Sequence, residues 1–207
     1  IHSGGGRTAH PKDLMSSTIT TITRTEDLAR FCETAKTAPY VTVDTEFLRE
    51  RTYWSRLCLI QLAIPPASTD AETGGEAVLV DPLAEGLSLD PLYELFRHEA
   101  TVKVFHAARQ DLEIFFHEGG GIIPKPLFDS QIAAMAVGLG DSVSYDNLVR
   151  ALVKVNLDKG SRFTDWSRRP LSDKQKEYAL ADVTHLRDLF PILREKLAKK
   201  GREAWLA

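Results

Sequence analysis

Only two cysteines, Cys32 and Cys58, occur in the 207 residues, and each sits beside apolar neighbours. That scarcity argues against a disulfide framework and against a cysteine-based metal site, and it suits a reducing, cytoplasmic compartment. No run of about 18 apolar residues exists, so no membrane span is expected. The first residues carry no basic segment followed by an apolar stretch, so no signal peptide is expected either. Internal repeats and low-complexity tracts are missing. Charge of one sign is also in short supply: the formal net charge is −3. Any contact with nucleic acid must therefore come from a local basic patch and not from the whole surface.

What is present is ordinary for one globular domain. Hydrophobic residues make up 43% and charged residues 27%, enough to bury a sizeable core. Residues 1–14 read as the remnant of an expression tag ahead of Met15, which leaves 15–207 as a single domain. Strands are expected within Ser17–Arg24 and at Tyr40–Phe47, Leu57–Ile64, Ala77–Val80 and Val102–Phe105. Helices are expected from Thr25 as N-cap to just before Pro39, and at Leu89–Phe96, Ala107–His117, Ser130–Val137 and Tyr145–Val153. A long final helix is expected after Ser172. Strands alternating with helices predict an α/β layer architecture. The link between the second and third strands is too short for a helical crossover, so the central sheet should be mixed. The chain closes on Trp205 and Leu206 in a helix-like pattern with nothing after it, as expected of a domain cut from a longer protein.

The chemistry centres on Tyr40–Phe47. Side chains two apart on a strand share a face, so Asp44 and Glu46 point the same way at the end of an otherwise apolar strand. Paired carboxylates need protons or a cation once they leave water, unless they are simply a solvated strand end. Oxygen-rich clusters of this kind suit Mg²⁺ or Mn²⁺. Asp111 sits early in the helix that follows Phe105-His106. Tyr178 and Asp182, spaced i, i+4, share one face of the last helix.

The strings Val43-Asp44-Thr45-Glu46-Phe47, Phe105-His106-Ala107 with Asp111-Leu112-Glu113, and Tyr178-Ala179-Leu180-Ala181-Asp182 resemble the three motifs of DEDD-superfamily exonucleases. The branch is the tyrosine-bearing one, and the match is closest to the ribonuclease D family. Leu59-Ile60-Gln61-Leu62, Asp129-Ser130-Gln131 and Leu157-Asp158-Lys159, leading to Thr164-Asp165-Trp166 and Arg169-Pro170-Leu171, are similar to that family as well. The resemblance implies an RNase H-like fold with a mixed sheet flanked by helices. It implies metal-dependent hydrolysis of RNA from the 3′ end to 5′-mononucleotides, with tRNA precursors as substrates. On matching residues it implies that Asp44 bridges two divalent ions, that Glu46 and Asp182 complete one site, that Asp111 serves the other through water, and that Tyr178 positions the attacking water. The family's C-terminal helical HRDC domains have no counterpart in this sequence.

Elementary chemistry agrees with those roles. Phosphodiester hydrolysis needs a hydroxide and neutralisation of the leaving oxygen, and two ions about 4 Å apart supply both. A phenol with an ordinary pKa of about 10 is a poor base, so a tyrosine orients water better than it deprotonates it. Without metal, four acids repel, and the site should hold extra protons or be partly disordered. Candidate substrate contacts are Lys159 and Arg162 in the loop before the last helix. Phe47 and Leu48 are candidate wedges against the terminal base, or else core. His106 either faces the site or is a hydrogen-bonded structural histidine. Arg49, Arg51, Arg56, Arg168 and Arg169 are either phosphate contacts or solvated loop charge, and Trp166 among them offers a ring that can stack a base. Asp129 is read as an N-cap, Asp165 as a loop anchor and Asp81-Pro82 as a turn. No obligate protein partner is expected. Trimming of DNA or very short RNA is the rival activity, and a silent nucleic-acid-binding module is the rival class.

Overall fold

The computed structural model describes residues 19–49, 54–67, 75–158, 160 and 164–206. The elements in chain order are β1 (Thr21–Ile22), α1 (Thr25–Lys36), β2 (Tyr40–Leu48), β3 (Arg56–Ala63), β4 (Ala77–Val80), α2 (Asp90–Arg97), β5 (Val102–Phe105), α3 (Arg109–Glu118), β6 (Leu127–Asp129), α4 (Ser130–Ala136), α5 (Tyr145–Leu152) and α6 (Asp173–Lys199). A short 3₁₀ turn spans Glu203–Leu206. The six strands form one sheet in the order β1-β4-β3-β2-β5-β6. β3 runs antiparallel to both β2 and β4, and the remaining pairs are parallel, so the sheet is mixed as the short β2–β3 link requires.

Alternation along β2 decides which side each residue serves. Val41 and Val43 join the cluster formed with Leu28 and Phe31 of α1, Leu92 and Phe96 of α2, and Ile114 and Phe115 of α3. Thr42 faces the other way, its hydroxyl 2.8 Å from the Val183 carbonyl of α6. On that second face α4, α5 and α6 pack Ala133, Leu148, Leu186, Leu189 and Leu193 against Val104 and Phe128. β3 is buried throughout after its first residue, as its unbroken apolar run predicts. Each cluster of large aliphatic and aromatic side chains contributes roughly 1.5–3 kcal/mol per buried residue.

Several local expectations change. Thr25 is the first helical residue and not the cap. Its hydroxyl accepts from the Ser88 N–H at 2.9 Å and so ties α1 to the loop before α2. β6 is only three residues long, too short for its alternation to register in the sequence. α3 starts at Arg109 because Ala107 adopts φ 55°, a left-handed conformation that costs an alanine about 1–2 kcal/mol. Asp129 offsets that strain. Its carboxylate accepts from the Ala107 and Ala108 N–H groups at 3.0 and 2.9 Å and also caps α4 through Gln131 at 2.8 Å. Cys32 and Cys58 are both buried and unpaired with each other. Among the described residues no helix is long and apolar enough to cross a membrane. Residues 1–14, together with Lys159, Arg162 and Arg51, lie outside the described residues.

Candidate active site

Asp44 lies opposite Gln61 across the hairpin, and Glu46 opposite Leu59, just before a register shift between Glu46 and Phe47. Both acids share the α6-facing side of β2 with Thr42. Asp111 arrives from the opposite layer. It is 7% exposed, and its carboxylate accepts a short hydrogen bond from the Thr45 hydroxyl. The Asp129 clamp on the turn before α3 sets where that first helical turn sits.

Around Asp44 the acids meet. Its carboxyl is raised well above the usual range, first by loss of solvent and then by the charges of Asp111, Asp182 and Glu46, in that order. The side chain keeps partial access to a cavity, but protein surrounds most of it. Asp111 is pushed up to about 6, mainly by burial, against the opposing effect of the Thr45 bond. These shifts match the expectation of a site that holds extra protons when no cation neutralises it.

α6 is positioned from its first turn. Ser172 and Gln175 form a reciprocal capping box, and Gln175 also reaches the Thr164 hydroxyl at 3.2 Å. Arg169 clamps the preceding loop: Nε and Nη2 donate to the two Asp81 oxygens at 2.7 Å each. Nη2 also donates to the Cys58 carbonyl at 2.6 Å, and Nη1 to the Trp166 carbonyl at 2.8 Å. Arg169 is therefore a structural tie between this loop and β3–β4, not a phosphate contact. Trp166 is 2% exposed and packs on Leu59, Leu79 and Ala179, so it is core and offers no stacking face. Asp165 anchors its own loop through Ser167, as expected.

One cavity of roughly 230 Å³ is lined by Asp44, Tyr178 and Asp182 together with His106, Tyr145 and Asp158. Asp111 and Glu46 do not line it. They act on Asp44 from behind and beside the strand. Pockets for small molecules usually enclose about 300–1,000 Å³, so this one admits a chain end and not a folded segment. His106 does both things considered for it. Its Nδ1 pairs with the Ser130 hydroxyl at 2.9 Å, and its ring lines the cavity 5.2 Å from that of Tyr145. Burial lowers its pKa, so the imidazole is neutral at pH 7. Phe47 and Leu48 pack against core clusters and are only partly exposed, which favours the core reading over a wedge.

Sequence reading missed four neighbours. Tyr145 donates its phenol to the Asp182 carbonyl and so fastens α5 to the helix that bears the acid. Thr45 holds Asp111. Lys174 lines a second hollow next to Tyr178 and Asp182. Gln61 is fully buried opposite Asp44, and neither polar atom of its amide has a partner among the described residues. Burying an unsatisfied amide is costly, so this orphan marks a neighbourhood built around a further polar group. Only the Gln61 position had a signal in the sequence, as the one polar residue in the β3 run.

Among the described residues no three acidic, histidine or cysteine side chains already stand as a closed metal-binding group. The donor chemistry nevertheless fits a hard divalent cation: oxygen ligands only, with one carboxylate destabilised by three others.

The pattern of a family described as 3′-5′ exonuclease matches residues 19–198. A protein named Ribonuclease D from Jannaschia sp. is 65% identical over 90% of this chain and 47% of its own length. One of the same name from Granulibacter bethesdensis is 52% identical over 91% of this chain and 45% of its own. The chain thus spans about half the length of the curated relatives it matches. The crystal structure of Escherichia coli RNase D, described as an exoribonuclease involved in structured RNA processing, superposes with a TM-score of 0.81 at 35% identity. It covers 91% of this chain and 47% of that one. With the mixed sheet, the carboxylates around Asp44 and the tyrosine beside Asp182 in place, the chain belongs to the 3′-5′ exonuclease family.

Proposed function

We propose that this domain hydrolyses RNA from its 3′ end, releasing 5′-mononucleotides, with tRNA precursors or other structured RNA as substrates. The observation that carries the reading is the cavity that Asp44 shares with Asp182 and Tyr178, while Glu46 and Asp111 act on the Asp44 carboxyl from outside its lining. Asp44, Glu46, Asp111 and Asp182 would hold two divalent cations, Mg²⁺ or Mn²⁺. Bound there, the cations would supply a nucleophilic hydroxide at neutral pH and neutralise the leaving oxygen.

The chain's own groups do the rest. Tyr178 orients the attacking water by hydrogen bonding from the same helix face as Asp182. Tyr145, through the Asp182 carbonyl, and Arg169, through the loop before α6, keep that face in register with β2. Neutral His106 forms a cavity wall that carries no charge to compete for the phosphate. Lys174 is a described cation placed to meet a phosphate beside Tyr178. Lys159 and Arg162 remain proposed substrate contacts on the sequence pattern, since both lie outside the described residues. Two buried, free cysteines fit a reducing, cytoplasmic setting.

The test is direct. The protein is incubated with 5′-labelled RNA, short RNA and DNA of matched sequence, with Mn²⁺, with Mg²⁺ or with EDTA. A ladder shortening one nucleotide at a time, dependent on the divalent ion, is expected for RNA. Equal degradation of DNA would support the broader trimming activity, since an acidic site acts on phosphate and does not read the sugar. No shortening of any substrate, together with no calorimetric Mn²⁺ binding, would leave only a silent binding module.

A further inference from the structure

Among the described residues a hydrogen bond and a ring contact both tie the β2–β3 hairpin to α3, and only the first belongs to the acid cluster. That first contact is the Thr45–Asp111 hydrogen bond. The second is a ring contact between Trp54 and His117, with centroids 3.4 Å apart and planes tilted by 40°. Asp111 and His117 are six helical steps apart, about 9 Å along α3 at 1.5 Å per step. Thr45 to Leu48 covers about 10 Å of strand, and Leu48 pairs with Arg56, two residues from Trp54. Counted along either element, the aromatic pair therefore lies about 9–10 Å beyond the Thr45–Asp111 contact.

Trp54 is 47% exposed, and His117 is exposed too. Phe116, 45% exposed, sits edge-on to His117 at 5.6 Å. One side of the indole rests on the imidazole while much of the ring remains open to solvent. Large exposed aromatic surfaces in a cluster mark a place where something binds. Arg49 and Arg56 are exposed where the same hairpin leaves the sheet, Arg56 two residues along the chain from Trp54.

An enzyme that removes the 3′ nucleotide leaves only the 5′ side of the strand to run outward. Stacked nucleotides advance about 3.4 Å each, so 9–10 Å corresponds to about three of them. We propose that Trp54, backed by His117, is a stacking platform for one base of single-stranded RNA about three nucleotides to the 5′ side of the bond being cut. This rests on the exonuclease reading above. It adds a binding site remote from the acids, for a nucleobase of any identity, because every base has a π-face.

An abasic scan tests it. RNA octamers carrying one abasic residue at each successive position from the 3′ end are compared with the intact octamer, for the unaltered protein, Trp54→Phe and Trp54→Ala. Initial rates are measured with Mn²⁺, and binding is followed by anisotropy in EDTA. Removing a stacked base is expected to weaken binding by about 5- to 150-fold. That loss should peak at one position near the third or fourth nucleotide, disappear in Trp54→Ala, and be partly kept in Trp54→Phe. Circular dichroism confirms that each variant is folded. If the unaltered protein shortens RNA but its abasic profile is flat, or is unchanged in Trp54→Ala, the platform is wrong and the exonuclease reading stands. If the unaltered protein shortens no RNA, that reading fails and the platform falls with it.

Discussion

Arg169 offers the sharpest contest between a structural and a substrate role, because in the sequence it sits among candidate phosphate-binding cations. Replacing it with methionine keeps much of the stem's packing and removes the guanidinium. Both Asp81 oxygens then lose their 2.7 Å donors, leaving the carboxylate with the Leu83 N–H at 3.0 Å, while the Cys58, Trp166 and Arg168 carbonyls lose one donor each. The pair is mostly buried, with side-chain exposures of 27% for Arg169 and 11% for Asp81. Breaking a buried pair by removing one partner costs about 3–5 kcal/mol, and the residual exposure of Arg169 places this one near 3 kcal/mol. Asp81→Asn should cost somewhat less, because the asparagine still accepts one bond. The double variant should cost less than the sum of the singles by about 1–2 kcal/mol, since the two residues share one interaction. Urea unfolding at pH 7 measures all three. RNA turnover should fall through kcat, because the loop that launches α6 loosens. A stability change below about 0.5 kcal/mol in Arg169→Met, combined with a raised KM for RNA, would refute the clamp and restore Arg169 as a phosphate contact.

Four further outcomes are expected. Asp44→Asn should abolish RNA shortening yet unfold no earlier than the unaltered protein in EDTA, since it removes the carboxylate that three others oppose; near-normal turnover with Mn²⁺ would remove Asp44 from metal binding. Tyr178→Phe should slow cleavage by about 10²-fold at unchanged Mn²⁺ affinity, as a lost water-orienting hydroxyl requires, and an unaltered rate would exclude it. Asp111 has its folded pKa raised from 3.8 to about 6, so the native state holds more protons than the unfolded chain between those values, and metal-free stability falls as pH rises through that window. Asp111→Asn should therefore lessen that fall by no more than about 3 kcal/mol between pH 4 and 7, while keeping an acceptor for Thr45; an identical pH profile would mean that Asp111 is not the group titrating. Tyr145→Phe should lower Mn²⁺ affinity and turnover together by loosening Asp182, whereas a change in neither would make Tyr145 mere cavity lining.

The sequence alone determined the order of the elements except the three-residue β6, because strand alternation, the Ser172 cap and the Asp129 cap are local signals. It also singled out Asp44, Glu46, Asp111, Tyr178 and Asp182, since motif spacing survives without coordinates. The mixed sheet was legible too, from a link too short for a crossover helix. What local pattern cannot carry is who meets whom across the chain. Thr45 with Asp111, Tyr145 with the Asp182 carbonyl, Arg169 with Asp81 and Trp54 with His117 are separated by tens of residues, and each pairing follows from how β2, α3 and α6 are layered. The same layering turned Trp166 from a possible base-stacking ring into core and made Arg169 a tie. The chain's chemistry is written in its residues, but the field around Asp44 exists only where folding brings Asp111 from one layer and Asp182 from the other to the same strand end.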